Sequence, residues 1–191
     1  MTIATYRTPG ARVYMKNTVS IAKSLISTAR SGWMLRGVPR YLAESIAEHS
    51  FLSSYICLDI GSRIGVDLGK LILYTIVHDI GEAFTGDIVK VFSSEVGDRK
   101  KVIELRLVEE GIDSDTIKKL YISYTNQDDV ESKVAKLCNY IATYVKGLEY
   151  KSLGFDVADI IDGVEKEIER ASKELGIDDT IKNIVQKYIK K

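Results

Sequence analysis

The sequence is sparing with the residues that usually mark specialised chemistry. Its 191 residues include two histidines, two cysteines, two prolines and one tryptophan. Cys57 and Cys138 are far apart and form no CxxC pair, which excludes a disulfide framework and a zinc-ribbon pattern. Both have apolar neighbours and are expected to be buried, reduced thiols. An excess of either charge is also missing: Lys+Arg and Asp+Glu both number 27, for a formal net charge of +0. A nonspecific polyanion binder needs a basic excess, so no nucleic-acid partner is expected. No stretch approaches the ~20 apolar residues needed to span a bilayer. Residues 1–14 contain no apolar segment of signal-peptide type. The expectation is a cytoplasmic protein without a membrane partner.

Pro9 and Pro39 are the two prolines, and the fourteen glycines are thinly spread. There is no low-complexity linker and no internal repeat, so one domain is expected over 1–191. Hydrophobic residues make up 45%, enough for a real core. Period-two alternation, the mark of strands, is nearly absent. Helical periodicity instead recurs. A first helix carries Val19, Ile21, Ala22, Leu25, Ile26 and Ala29 on one side and stops near Ser31-Gly32. Residues 33–42 read as a loop around Gly37 and Pro39. A second helix spans about 43–63, with Ile46, Ala47, Phe51, Ser54, Leu58 and Ile60 inward. A third starts at an Asp67 cap and runs through LGKLILYTIVHDIGEA, followed by a turn at Thr85-Gly86-Asp87. Further helices fall near 96–110, 114–124, 129–152, 156–174 and 178–190, with Asp113, Asp128 and Asp178 as caps. The fold class is therefore all-α, a helical bundle.

The chemistry concentrates around the two histidines, each beside an acid: Glu48-His49 and His78-Asp79. A lone histidine on an apolar helix is more often a packing residue. The run TIVHD, however, buries a carboxylate that is costly unless paired or metal-bound. On a continuous helix Glu82 would share a face with both His78 and Asp79. Asp87 follows after the Gly86 turn. The stretch HDIGEAFTGD thus gathers a histidine and three acids, a mixed nitrogen and oxygen set that divalent metals accept.

These residues, with ARSGWMLRGV (29–38), ESIAEHS (44–50), HDIGEAFTGDI (78–88) and ESKVAKLCNYIATYVKGLEY (131–150), resemble the HD-domain nucleotidases. The resemblance is to the group that dephosphorylates deoxyribonucleoside 5′-monophosphates. It implies a metal-site core over about 18–152, C-terminal helices over about 153–191, and a homodimer. It implies a divalent cofactor (Mn, Co, Zn or Mg) held by His49, His78 and Asp79. The family completes that set with an aspartate, and here the aligned position is Asn139. An amide oxygen can coordinate but brings no negative charge, so metal affinity drops, the preferred metal changes, or the catalyst is weakened into a nucleotide-binding protein; an HD phosphohydrolase acting on another phosphate ester or a cyclic nucleotide is the alternative enzyme.

The resemblance further implies that water attacks phosphorus in line, with Glu82 as proton shuttle and Asp87 as a second acid. Arg30 would grip phosphate, with Arg36 as an alternative; Arg30 could instead serve the end of the first helix. Trp33 would pack near the sugar and disfavour a 2′-hydroxyl, or simply anchor the core. Thr85 would shape the turn or bond phosphate. The interval from Trp33 to His49 is about two residues longer than is usual in the family. Residues Arg40-Tyr41-Leu42 are therefore expected to reshape the pocket rim. No chemistry is read in 156–191, whose Val164, Ile168, Ala171 and Leu175 form a buried stripe.

Overall fold

The computed structural model describes residues 17–89, 92 and 95–189. Its helices are α1 (Thr18–Ser27), α2 (Ser31–Met34), α3 (Ile46–Ile64), α4 (Leu68–Val77) and α5 (Glu82–Thr85). They continue with α6 (Asp98–Gly111), α7 (Asp115–Asn126), α8 (Val130–Ser152), α9 (Ala158–Glu174) and α10 (Asp178–Ile189). The protein is all-α: no strand occurs among the described residues, and Ala29 and Ser45 form an isolated bridge. Residues 1–16 lie outside the described residues.

The long α8 is the axis of the bundle, packed by α3, α4 and α9. Its inner positions Val134, Ala135, Leu137, Cys138, Ile141 and Ala142 are buried, alongside Ile56, Cys57 and Ile60 of α3 and Leu71 and Tyr74 of α4. Both cysteines are free thiols in this core. Its start is fixed by Asp129, which accepts from the Ser132 amide at 2.8 Å, while the Ser132 hydroxyl accepts from the Asp129 amide at 3.2 Å. Asp129 also accepts from Tyr74 at 2.7 Å and pairs with Lys70 at 2.7 Å, tying α4 to α8. These contacts bring its carboxyl down to about 2 against the opposing effect of burial.

Several helix boundaries depart from the periodicity. The helix over 43–63 begins at Ile46, because Ser45 and Glu48 form a reciprocal capping box. Phe51 and Leu58, expected inward, are exposed; Ile46 and Ile60 are buried as expected, and His49, Ser53, Ile56 and Cys57 face the core with them. Val19 and Ile26 of α1 are likewise exposed, leaving Ile21 and Leu25 inside. The third helix starts at its Asp67 cap as expected but stops at Val77, and 78–81 form turns before the short α5. The N-caps of α7 and α8 are Ser114 and Asp129, each one residue beyond the expected Asp113 and Asp128. Asp178 is the first residue of α10.

Residues 30–44 form a loop with a stapled neck. The Arg30 amide donates to the Glu44 carbonyl at 2.9 Å, and the Ile46 amide donates to the Thr28 carbonyl at 3.0 Å. Within the loop, Trp33 and Val38 reach a small core with Ala29, Ala43, Tyr150, Val157 and Ile161. Gly147 of α8 permits this approach, since a Cβ there would lie 2.8 Å from Ile161 and 3.5 Å from the Trp33 ring. Arg40, Tyr41 and Leu42 lie on the far side of the loop. The Arg40 guanidinium donates to the Ser27 carbonyl, Tyr41 is exposed, and Leu42 accepts from Tyr150.

Candidate metal centre and cleft

The capping box sets the register of α3 so that His49 falls one turn inside it, fully buried. The end of α4 places His78 at the helix C-cap, with Asp79 in the following turn. One ligand atom each from His49, His78 and Asp79 lie within 4.8 Å of one another. The His78 Nδ1–H donates to the Thr75 carbonyl at 2.7 Å, which fixes the tautomer and leaves Nε2 as a lone pair. That lone pair sits 3.0 Å from the Asp79 Oδ2, an acceptor facing an acceptor. His49 Nε2 lies 2.9 Å from Asn139 Oδ1, and His49 Nδ1 lies 3.8 Å from Glu44 Oε1.

Two buried ring nitrogens, His49 Nδ1 and His78 Nε2, have no hydrogen-bond partner. Unpaired buried polar atoms are costly, and such groups call for an ion or another partner. A cation among the four side chains would satisfy His78 Nε2 and Asp79 together. It would also turn the His49 Nε2 lone pair and the Asn139 oxygen to a common point, leaving the His49 Nδ1–H facing Glu44. The residues therefore fit a divalent metal, with two imidazoles, one carboxylate and one amide oxygen as donors.

The protonation states agree with that use. Burial, with the nearby charge of Arg30, pushes the His49 imidazole well below its ordinary range and keeps it neutral. Burial opposes ionisation of Asp79, but His78, His49 and Arg30 together hold its carboxyl below the usual range. Glu82 is the reverse case. Burial and the charges of Asp79 and Asp87 push its carboxyl well above the usual range, against Lys100 and Arg30. One site thus holds an ionised ligand acid and a protonatable neighbour.

Asp79, Glu82 and Asn139 open onto a cleft of about 720 Å3, shared with Arg30, Trp33 and Asp87. The Arg30 guanidinium is mostly buried, 3.6 Å from Glu44 Oε1 and 3.5 Å from the Thr143 hydroxyl. Asp87 accepts from the Ser31 hydroxyl at 2.6 Å and from the Ser31 amide, so it holds the start of α2 beside Arg30. Trp33 is buried and donates its Nε1–H to Glu44 Oε1 at 2.9 Å, while its ring packs against Tyr150. Of the two arginines, Arg36 lines the cleft but is paired with Asp159 of α9. The Thr85 hydroxyl bonds to the Gly86 carbonyl at 3.0 Å and Glu104 at 3.2 Å, and Thr85 is not among the cleft-lining residues.

Two participants escaped the sequence reading. Glu44 is a buried acid that touches Trp33, neighbours Arg30 and faces His49. Its carboxyl is raised by burial, which outweighs Arg30 and the Trp33 hydrogen bond. The signal was present, since Glu44 opens the segment ESIAEHS just before an apolar helix face. Lys100 of α6 reaches the cleft 3.3 Å from Glu82 and 3.5 Å from Glu104. Its run DRKK reads as an ordinary solvated face, and nothing in it points to Glu82. The expected rim residues Arg40-Tyr41-Leu42 are absent from the cleft wall, because the loop folds them to its other side. The third departure is α9, expected to carry no chemistry: Asp159, Ile160, Gly163, Val164 and Glu167 form one wall of the cleft.

A family model described as HD domain matches residues 22–176. The fold resembles a conserved hypothetical protein from Pyrococcus furiosus (TM-score 0.75, 22% identity, covering 89% of this chain and 96% of that one). It also resembles a protein of known structure from Pyrococcus horikoshii OT3 (TM-score 0.73, 26% identity, 89% and 97% covered). No functionally curated protein matches the chain. No helix among the described residues is long and apolar enough to cross a membrane.

Proposed function

Because the chain belongs to the HD domain family, whose members are in general metal-dependent phosphohydrolases, we propose that it hydrolyses phosphomonoesters, and specifically releases phosphate from deoxyribonucleoside 5′-monophosphates. The observation that carries the reading is the pairing of a metal-competent cluster, His49, His78 and Asp79, with a cleft holding Arg30 and Glu82, whose carboxyl is pushed well above the usual range by burial. The deoxynucleotide specificity rests on the sequence resemblance and on Trp33 lining that cleft.

His49, His78, Asp79 and the Asn139 oxygen hold the ion in this proposal. A divalent cation there acidifies water and offsets negative charge on a phosphoryl oxygen. The remaining work falls to the chain itself. Arg30, kept charged by the surrounding carboxylates, receives the phosphate oxygens and fixes phosphorus over the acids. Glu82 carries a proton within reach of the cleft and delivers it to the departing nucleoside oxygen. Lys100 holds the Glu82 carboxyl in place at 3.3 Å. Asp87 orients α2, and with it Arg30, through Ser31.

Asn139 favours a second reading, a nucleotide-binding protein with weakened turnover, because an amide supplies no charge to the ion. The test is phosphate release from deoxy- and ribonucleoside 5′-monophosphates with Mn2+, Co2+, Zn2+ or Mg2+, alongside Asn139→Asp. Metal-dependent release by the natural protein with a deoxy preference supports the first reading. Turnover by Asn139→Asp alone supports the second, and silence from both removes the nucleotidase reading.

A further inference from the structure

The lining of the cleft is of two kinds. Arg30, Lys100, Asp79, Glu82 and Asp87 are charged. Trp33 and Tyr140, together with Ile160, Gly163 and Val164 of α9, are not. On α9 these last three sit at i, i+3 and i+4, so they share one helical stripe. That stripe differs from the one packed into the core, where Ile161 and Ile168 are buried. Val164 belongs to the cleft stripe and is only partly buried.

Gly163 is the informative residue. It lies in the middle of a 17-residue helix, where glycine weakens helix formation relative to other residues. No packing demands it: a Cβ built there meets no atom within 4 Å. Its backbone does not require it either, since it is absent from the glycines with positive φ. What the missing side chain leaves is room in the cleft, beside an apolar stripe. The nearest acids do not compete for a ligand, because Asp159 is held by Arg36 and Glu167 by Arg170. Between these paired acids the α9 wall is apolar, a surface for a planar ring.

Building on the phosphatase reading above, we propose that α9 supplies the leaving-group subsite: Ile160, Gly163 and Val164, with Trp33 and Tyr140, take the planar heteroaromatic base of a nucleoside phosphate. The ester is then read at both ends, its phosphate by Arg30 and its base by α9. Gly163 and Val164 become specificity-determining residues rather than residues of the reaction itself.

Trp33 is the single tryptophan and lines the cleft, so its fluorescence reports binding without turnover. The probes are 2′-deoxyadenosine 5′-monophosphate and ethyl phosphate, titrated into the full-length, metal-loaded protein and into Gly163→Leu. The control is Asp162→Leu, one position along on the exposed side of α9, with thermal midpoints confirming that all three fold. The nucleotide should quench Trp33, and Gly163→Leu should weaken its apparent affinity at least tenfold. The preference for nucleotide over ethyl phosphate should fall by a similar factor, and Asp162→Leu should keep the natural preference. Unchanged nucleotide affinity in Gly163→Leu, or equal loss of both ligands, overturns the subsite. If the protein binds with this pattern but releases no phosphate from any ester, the phosphatase reading fails and the subsite stands.

Discussion

Glu44 offers a demanding test, because a single carboxylate sits among three groups of the candidate site. It accepts from Trp33 at 2.9 Å, lies 3.6 Å from Arg30 and 3.8 Å from His49 Nδ1. Glu44→Ala removes a charged acceptor from a buried indole N–H, which costs about 1.5–3 kcal/mol. It also strands a mostly buried guanidinium, and breaking one side of a buried pair costs about 3–5 kcal/mol. The two terms overlap, so a total of about 4 kcal/mol is expected, read by urea unfolding at pH 7. Glu44→Gln keeps an acceptor for Trp33 and removes the buried negative charge, so it should cost about half as much. The discriminating measurement is the cycle with Arg30→Ala. Once the guanidinium is gone, Glu44→Ala should cost at least 1 kcal/mol less than it does alone. Additivity within about 0.5 kcal/mol would mean that the two groups are independent, and the account of Glu44 as the buried partner of Arg30 would be refuted.

Three further outcomes are expected. Glu82 has a folded-state carboxyl pKa raised well above 4.5, so its stability contribution is full below the unfolded value and is lost as pH rises through the folded one. Glu82→Gln should therefore unfold at a higher temperature, with the gain growing as pH rises above about 4.5, while phosphate release falls at least a hundredfold; a variant that is destabilised throughout would contradict the assignment. Gly81→Val would place a Cβ 2.5 Å from the Tyr121 hydroxyl and 3.0 Å from Glu104 Cβ, so a loss of about 1–3 kcal/mol is expected in chemical unfolding, together with weaker metal binding because the Asp79 turn must shift. Stripping metal with a chelator should lower the thermal midpoint, and titrating Mn2+ or Zn2+ back should restore it with a concentration dependence; His78→Ala should abolish that response, and an identical response in His78→Ala would place the ion elsewhere.

How legible all this was depended on which physical signal each element carried. The helices were readable because apolar spacing survives in isolation. Which apolar residues face inward was not: Phe51, Leu58, Val19 and Ile26 are apolar and exposed, because sequence shows the stripe but not how much of it a neighbour covers. His49, His78, Asp79 and Glu82 do converge, but not by sharing a helix face. The chain leaves the helix at Val77, and the turn over 78–81 aims the two acids. Periodicity could not see that break, since Ile80 and Gly81 carry no proline-like stop. Glu44 was overlooked because capping acids and buried acids look alike in a string of letters. Lys100 and the α9 wall depend on packing between helices that lie far apart in sequence.

The stapled neck of the 30–44 loop has a consequence for how this scaffold can change. Paired backbone bonds at Thr28–Ile46 and Arg30–Glu44 close the loop at its base, so the start of α3 and the position of His49 do not depend on what lies between. Lengthening such a closed segment costs little chain entropy, and its Arg40–Leu42 stretch already turns outward, away from the cleft. The segment behaves as an exchangeable cartridge. Loops of different length and composition could be grafted between Arg30 and Glu44 to vary the groups presented to substrate, while the Ser45 cap keeps the register of the metal-binding frame beneath.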